Sequence, residues 1–148
     1  MSGRPIDPQT GTVLTDSGGE FGPRLSRAQF LARDGADASP GVANGAFSTW
    51  TVRRSIGGEP FVVEATFDGE AILLLSLSLD PDGIPRGWHD WSEDREERRR
   101  VEHDRWLREA CGIVPPIAGD WGRLESVFDR RTGWSLVSMA FVSAQPAD

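Results

Sequence analysis

Few side chains in this sequence have reactive potential. Two histidines, His89 and His103, and one cysteine, Cys111, are present. His89-Asp90 and His103-Asp104 are both His-Asp dipeptides, a pairing that metal-dependent phosphohydrolases use to hold an ion and its water. Such a site needs further ligands, and there is no third histidine. On one helix His103 and Cys111 would stand about 12 Å apart along the axis, too far to share a zinc ion or to act as a thiol–imidazole pair. No serine nucleophile elbow, phosphate-binding loop or dinucleotide glycine fingerprint occurs. Gly57-Gly58 precedes a strand pattern and reads as a turn. Acidic residues are numerous, but none sits in apolar sequence that would raise its pKa toward catalytic use. The expectation is no catalytic residue, no cofactor and no metal. A small metal-dependent hydrolase using His89, His103 and nearby carboxylates is the competing chemistry.

Protein binding fits the remaining pattern. Asp80, Asp82, Asp90, Glu93 and Asp94 gather around a loop and the first turn of a long helix, beside Trp88 and Trp91. Acids flanking exposed tryptophans suit capture of a basic protein: the charges steer encounter and the rings anchor it. The expected partner-binding surface is Asp80, Asp82, Trp88, His89, Asp90, Trp91, Glu93, Asp94 and Glu97. In the plainer alternative, Trp88 and Trp91 staple the helix start and the acids merely solvate it.

The element that must position these residues is a helix over about 91–111. Asp90 and Glu93 form a capping box, and Glu93 and Asp94 place negative charge where the helix dipole favours it. Gly112 supplies a left-handed stop, and Pro115-Pro116 prevent continuation. Asp94–Arg98, Glu96–Arg100 and Asp104–Arg108 are i,i+4 pairs with the acid first. His103, Trp106, Leu107, Ala110 and Cys111 share one arc, with Val101 opposite. Continued backwards, the arc takes in Ser92, Glu96, Arg99 and Arg100. The first half is therefore either a solvated overhang, or Glu96, Arg99 and His103 tuck under a sheet or line a groove. A half-buried His103 bonded to a sheet carbonyl is the expectation.

Around this helix the chain reads as short strands. Residues 1–21, rich in Gly, Pro, Thr, Ser and Asp, read as a flexible arm, either a mobile tail or one loosely docked on the domain. Ser26 and Gln29 form a second capping box, predicting a short N-terminal helix over about 27–33. Residues 34–45 read as a loop. From Ala46 the period becomes two, giving strands through Trp50, Val52 and Arg54, through Phe61 to Phe67, and through Ala71 to Leu79. Asp68-Gly69 signals a tight hairpin. The leucine-rich third strand, with Leu73, Leu75, Leu77 and Leu79 on one face, is expected at the sheet centre. Leu124 to Asp129 and Trp134 to Val142 make a second hairpin, followed by a polar tail at 145–148. The fold class is α+β: one domain over 22–144, with an antiparallel or mixed sheet of about five strands packed by one long helix.

Sixteen basic and 23 acidic residues give a net charge of −7. That charge opposes nucleic acid and anionic membranes and attracts basic partners. The Arg98-Arg99-Arg100 run is cancelled by Glu96, Glu97 and Glu102. No apolar run is long enough to span a bilayer, the start lacks a signal-peptide core, and one cysteine fits a reducing cytosol. Six tryptophans without a tyrosine suit a core and an interface equally.

A Trp-x-x-Trp-Ser-Glu stretch (Trp88 to Glu93) leads into a charged helix ending His103-Asp104-Arg105-Trp106-Leu107. Trp121-Gly122 and a closing hairpin from Val127-Phe128-Asp129 follow. Over about residues 45–142 this pattern resembles small bacterial immunity-type proteins, encoded beside polymorphic or contact-delivered toxins. The resemblance implies a cytoplasmic, non-enzymatic inhibitor that binds one cognate protein toxin and blocks its active or substrate-binding surface. The acidic charge favours a basic toxin such as a nuclease. A structural or assembly subunit, its Trp-rich sheet facing a like copy, is a further alternative. The oligomeric state is not readable from sequence.

Overall fold

A computed structural model describes residues 4–79, 92–129 and 133–142. In chain order the described elements are β1 (Ile6–Asp7), β2 (Thr12–Leu14), β3 (Glu20–Phe21), α1 (Arg27–Asp34), β4 (Ser39–Asn44), β5 (Phe47–Ile56), β6 (Glu59–Asp68), β7 (Ala71–Leu79), α2 (Glu93–Trp106), β8 (Ile117–Gly119), β9 (Gly122–Asp129) and β10 (Trp134–Phe141). Strands β1–β3 form a small sheet, and the other seven form one antiparallel sheet in the order β4-β5-β6-β7-β10-β9-β8. The class is α+β, with seven main strands where five were expected.

Period-two alternation builds the large sheet. Phe61, Val63, Ala65 and Phe67 of β6 are buried, and the register carries that face across Val52, Val63, Leu77 and Val137 on four neighbouring strands. As expected, β7 occupies the centre. A register irregularity opposite Thr66 and Phe67 skips Leu73, so Ile72 becomes 2% exposed although simple alternation puts it on the other face. Asp68 pairs with Ala71, so the hairpin loop is Gly69-Glu70, one residue beyond the expected pair.

Two segments expected to be irregular are structured. Of the two readings of the N-terminal stretch, the docked arm is the one seen: it packs through Ile6, Val13 and Phe21, all fully buried, and Phe21 meets Phe30, which in turn meets Phe67. These apolar side chains sit in strands of two or three residues, too short to show a period. Strand β4 lies within the expected loop at 34–45. All six of its residues are exposed, so neither face leaves an apolar signature. The Ser26/Gln29 capping box is present and α1 ends one residue later than expected, but three strands precede it.

Helix α2 starts two residues later than read. Ser92, not Asp90, is the N-cap, accepting from the Arg95 N–H. After Trp106 one π-helical turn, Leu107–Cys111, completes the helix, and Gly112 closes it at φ +68° with the Ile113 N–H donating to the Leu107 carbonyl. Trp106, Leu107 and Cys111 are buried, Trp106 against Phe61, while Val101 on the far side is 53% exposed. The expected i,i+4 pairs are replaced. Glu96–Arg99, Glu97–Arg100 and Glu102–Arg105 pair at i,i+3, and Arg100–Asp104 spans i,i+4, with the base first.

Candidate functional site

Of the nine residues expected to bind a partner, Asp80, Asp82, Trp88, His89, Asp90 and Trp91 lie outside the described residues. Glu93, Asp94 and Glu97 stand on the first two turns of α2, all exposed. Glu97 sits 3.8 Å from Arg100 with about half its side chain in solvent. These three carboxylates share the helix start, where the N-terminal partial charge favours them.

The opposite side of the same helix is built differently. Pairing of β7 with β10 runs from Leu74–Ala140 to Leu77–Val137. Continued by two residues, that register would set Leu79 opposite Ser135, but the paired ladder stops before them. Helix α2 fills the gap with side chains. The Leu79 N–H donates to His103 Nε2 at 3.0 Å, and the Leu79 carbonyl accepts from the Arg99 guanidinium. The Ser135 N–H donates to Glu96 Oε1 at 2.7 Å, and its carbonyl accepts from the Ser78 hydroxyl at 3.1 Å. The Ser135 hydroxyl also donates back to the Glu96 carbonyl. Residues 96, 99 and 103 recur at helical spacing, so one stripe of α2 serves both strand ends. Every backbone group of the missing rung is thereby satisfied, as buried peptide groups require.

This seam determines what His103 can do. The ring is fully buried. Burial first, and the Arg99 charge second, lower its pKa from 6.5 to about 3. A neutral imidazole that accepts at Nε2 carries its proton on Nδ1. The lone pair that a metal or a substrate proton would need is therefore engaged by a backbone N–H. Contrary to expectation, His103 is fully rather than half buried and bonds a sheet N–H rather than a carbonyl, because the unpaired strand end offers a donor there. Among the described residues no three His, Cys, Asp or Glu side chains gather as a metal site. Burial likewise pushes the Cys111 thiol up to about 11, partly offset by a hydrogen bond from the Ile6 backbone and by the Arg4 charge, so it carries little thiolate.

Sequence reasoning missed two features. Asp34, with a side chain only 5% exposed, receives Arg54 at 2.8 Å and Arg33 at 2.7 Å, and Arg54 also reaches Asp37. Burial works against the Arg54 charge, but the carboxylates of Asp34 and Asp37 outweigh it and hold its pKa above the ordinary arginine value. This cluster ties the end of α1 to β5. The second feature is a cleft of about 290 Å³ between the outer flank of α2 and β9, lined by Arg100, Asp104 and Arg108 on one side and Glu125, Ser126 and Val127 on the other. Ile113, Val114, Pro115 and Pro116 close its end. Asp104 Oδ1 and Ser126 Oγ are both shielded from solvent there without a hydrogen-bond partner. No sequence signal joins these elements beyond the two prolines, which read only as a helix stop.

The far face of the large sheet carries half-exposed Val62, Leu74, Val127 and Leu136 around a row of Thr51, Glu64, Ser76, Ser138 and Glu125. Both described helices pack on the other face, where the core lies. No described helix is long and apolar enough to cross a membrane. Compared with protein-family models, curated proteins and solved structures, the chain matches none of them.

Proposed function

We propose that this chain is a non-enzymatic, protein-binding inhibitor of the bacterial immunity type, which neutralises a cognate toxin in the cytoplasm by covering its active or substrate-binding surface. The observation that supports this reading is the division of α2. Glu96, Arg99 and His103 are engaged in closing the sheet, while Glu93, Asp94 and Glu97, the last only in a loose surface pair with Arg100, are exposed toward a partner. A net charge of −7 favours a basic target, of which a nuclease is one. The partner-facing surface comprises this helix start and the segment before it, which contains Asp80, Asp82, Trp88, His89, Asp90 and Trp91.

The test is co-purification with the product of the adjacent gene, followed by association kinetics. The double change Glu93→Lys with Glu97→Lys should slow association and flatten its salt dependence; unchanged kinetics would exclude this surface. The hydrolase alternative loses His103 to the Leu79 N–H, and stoichiometric metal in chelator-free protein would restore it. An assembly role has one favouring observation, the half-exposed apolar residues of the far sheet face. A monomer by light scattering at high concentration counts against it.

A further inference from the structure

The described helices and the core cover one face of the large sheet, and the register shows what stands on the other. One row runs Thr51, Glu64, Ser76, Ser138 and Glu125 across β5, β6, β7, β10 and β9. The neighbouring row runs Thr49, Thr66, Leu74, Ala140 and Arg123. On this face the middle strands β7 and β10 present Leu74, Ser76 and Ser78 beside Leu136, Ser138 and Ala140, all half-exposed and none charged. Charge is confined to the strands outside them. An uncharged, partly apolar middle within a charged border is the anatomy of a protein interface. Serine and alanine at most of the middle positions let a second sheet approach to the usual spacing of about 10 Å.

The border charges are only half matched. Among the described residues Glu64 on β6 makes no ion pair or hydrogen bond, and partial burial raises its pKa above the ordinary glutamate value. A partly shielded carboxylate without a counter-charge is unfavourable, and an added cation relieves it. On β9, Arg123 reaches Glu125 only at 3.9 Å, with 63% of its side chain in solvent. Strands β6 and β9 flank the β7–β10 pair on either side. A two-fold axis between β7 and β10 therefore sets the border that lacks a cation against the border that has one to offer. Across the middle of this face Arg53, Arg123, Glu64 and Glu125 sum to zero, whereas the whole chain carries −7. Two like-charged copies meet most readily where that surplus is not presented, and a basic partner of another kind gains no steering here.

We propose that two copies of this chain pair face to face through these sheets about such an axis, with Arg123 of each copy set between its own Glu125 and Glu64 of the other. Arg123 stands one pleat, about 7 Å, from the row of Glu64, a diagonal that a long side chain spans. The face is also large enough. Its five strands are eight to ten residues long. At about 4.8 Å between strands and about 3.4 Å per residue they cover about 700 Å², close to the roughly 800 Å² that each partner brings to a stable interface. Helix α2 packs on the other face, so pairing leaves Glu93, Asp94 and Glu97 accessible and stands apart from the inhibitor reading.

Sedimentation equilibrium of the full chain from about 1 to about 300 μM tests the pairing. The expected result is a reversible monomer–dimer equilibrium with a Kd of about 10 μM or below. Ser138→Arg, in the middle of the face, should weaken it at least about a hundredfold. Glu64→Arg and Arg123→Glu should each weaken it about tenfold, and the two changes together should restore it to within about threefold. Both residues stand at the surface, so the denaturant midpoints of these variants at low concentration should match the parent's and separate pairing from folding. A monomer throughout would overturn the proposal. So would a dimer indifferent to Ser138→Arg, which would place the contact elsewhere. Single charge changes without effect, or a double change that does not restore pairing, would overturn the Glu64–Arg123 contact that selects a second copy as the occupant. Co-purification with the adjacent gene product is read independently, so the two readings fail separately.

Discussion

Glu96 and Glu97 are adjacent on one helix, yet one is sealed in the protein and the other stands in solvent. Glu96 is fully buried, accepts the Ser135 N–H and lies 3.4 Å from Arg99. Glu97 shares a 3.8 Å contact with Arg100, both side chains partly exposed to solvent. The inward stripe of Glu96, Arg99 and His103 does the work that a ladder rung does elsewhere in the sheet. The outward set of Glu93, Asp94 and Glu97 makes no such contribution. The same residue types thus hold the fold on one side of α2 and remain available to a partner on the other. Residue type alone does not say which; the position of two strand ends does.

Substitutions can break or sharpen this contrast. The largest effect is expected for Glu96→Ala, which strands the Ser135 N–H and leaves Arg99 without its carboxylate. Denaturant unfolding at neutral pH should show a loss of about 3–5 kcal/mol, the cost typical of removing one partner from a buried charged pair. Glu96→Gln keeps an acceptor for Ser135 and should lose less.

The pH dependence of His103 comes next. Its folded pKa lies near 3 against 6.5 for an ordinary histidine. Between those values the unfolded chain takes up a proton that the folded chain refuses, so acid favours unfolding. The stability is intact above about pH 6.5 and falls as pH drops toward 3, by at most about 1.4 kcal/mol per pH unit from this group. His103→Gln, which can still accept from Leu79, should remove that portion of the slope when unfolding is compared at pH 7, 5.5 and 4.5. An unchanged slope would mean that His103 is not the group responsible.

Gly112→Ala tests the stop that ends the inward stripe. A side chain at φ +68° is strained, and its Cβ would come within 3.0 Å of the Arg4 guanidinium carbon, so thermal unfolding should report a loss of about 1–2 kcal/mol. The smallest effect belongs to Glu97→Ala, expected within about 0.5 kcal/mol of the parent by the same measurement. A loss comparable to that of Glu96→Ala would erase the distinction between the two faces.

Much of this arrangement was legible in the sequence. The Ser26/Gln29 cap, the central place of the leucine-rich strand and the Gly112 stop all follow from local chemistry that acts over a few residues. The helical arc also aligned Glu96 and Arg99 with His103 and Trp106. Sequence could not show that β7 and β10 stop pairing before Leu79 and Ser135, because the two residues are 56 positions apart and the missing rung is a property of the sheet. The capping position was misread because Asp90 and Ser92 are both competent caps two residues apart. Ile6, Val13 and Phe21 were missed as core since none has an apolar neighbour at strand spacing. The Asp34–Arg54 pair and the Asp104–Ser126 cleft likewise join distant segments, and no periodicity records such meetings.

The central claim is that His103 is a structural acceptor rather than a reactive group, and ¹⁵N NMR of its imidazole across pH tests it most directly. The account predicts a neutral ring protonated at Nδ1, with Nε2 showing an accepted hydrogen bond and no titration from pH 8 down to about 4. A ring that titrates near 6.5, or whose Nε2 signal moves on adding zinc, would contradict it.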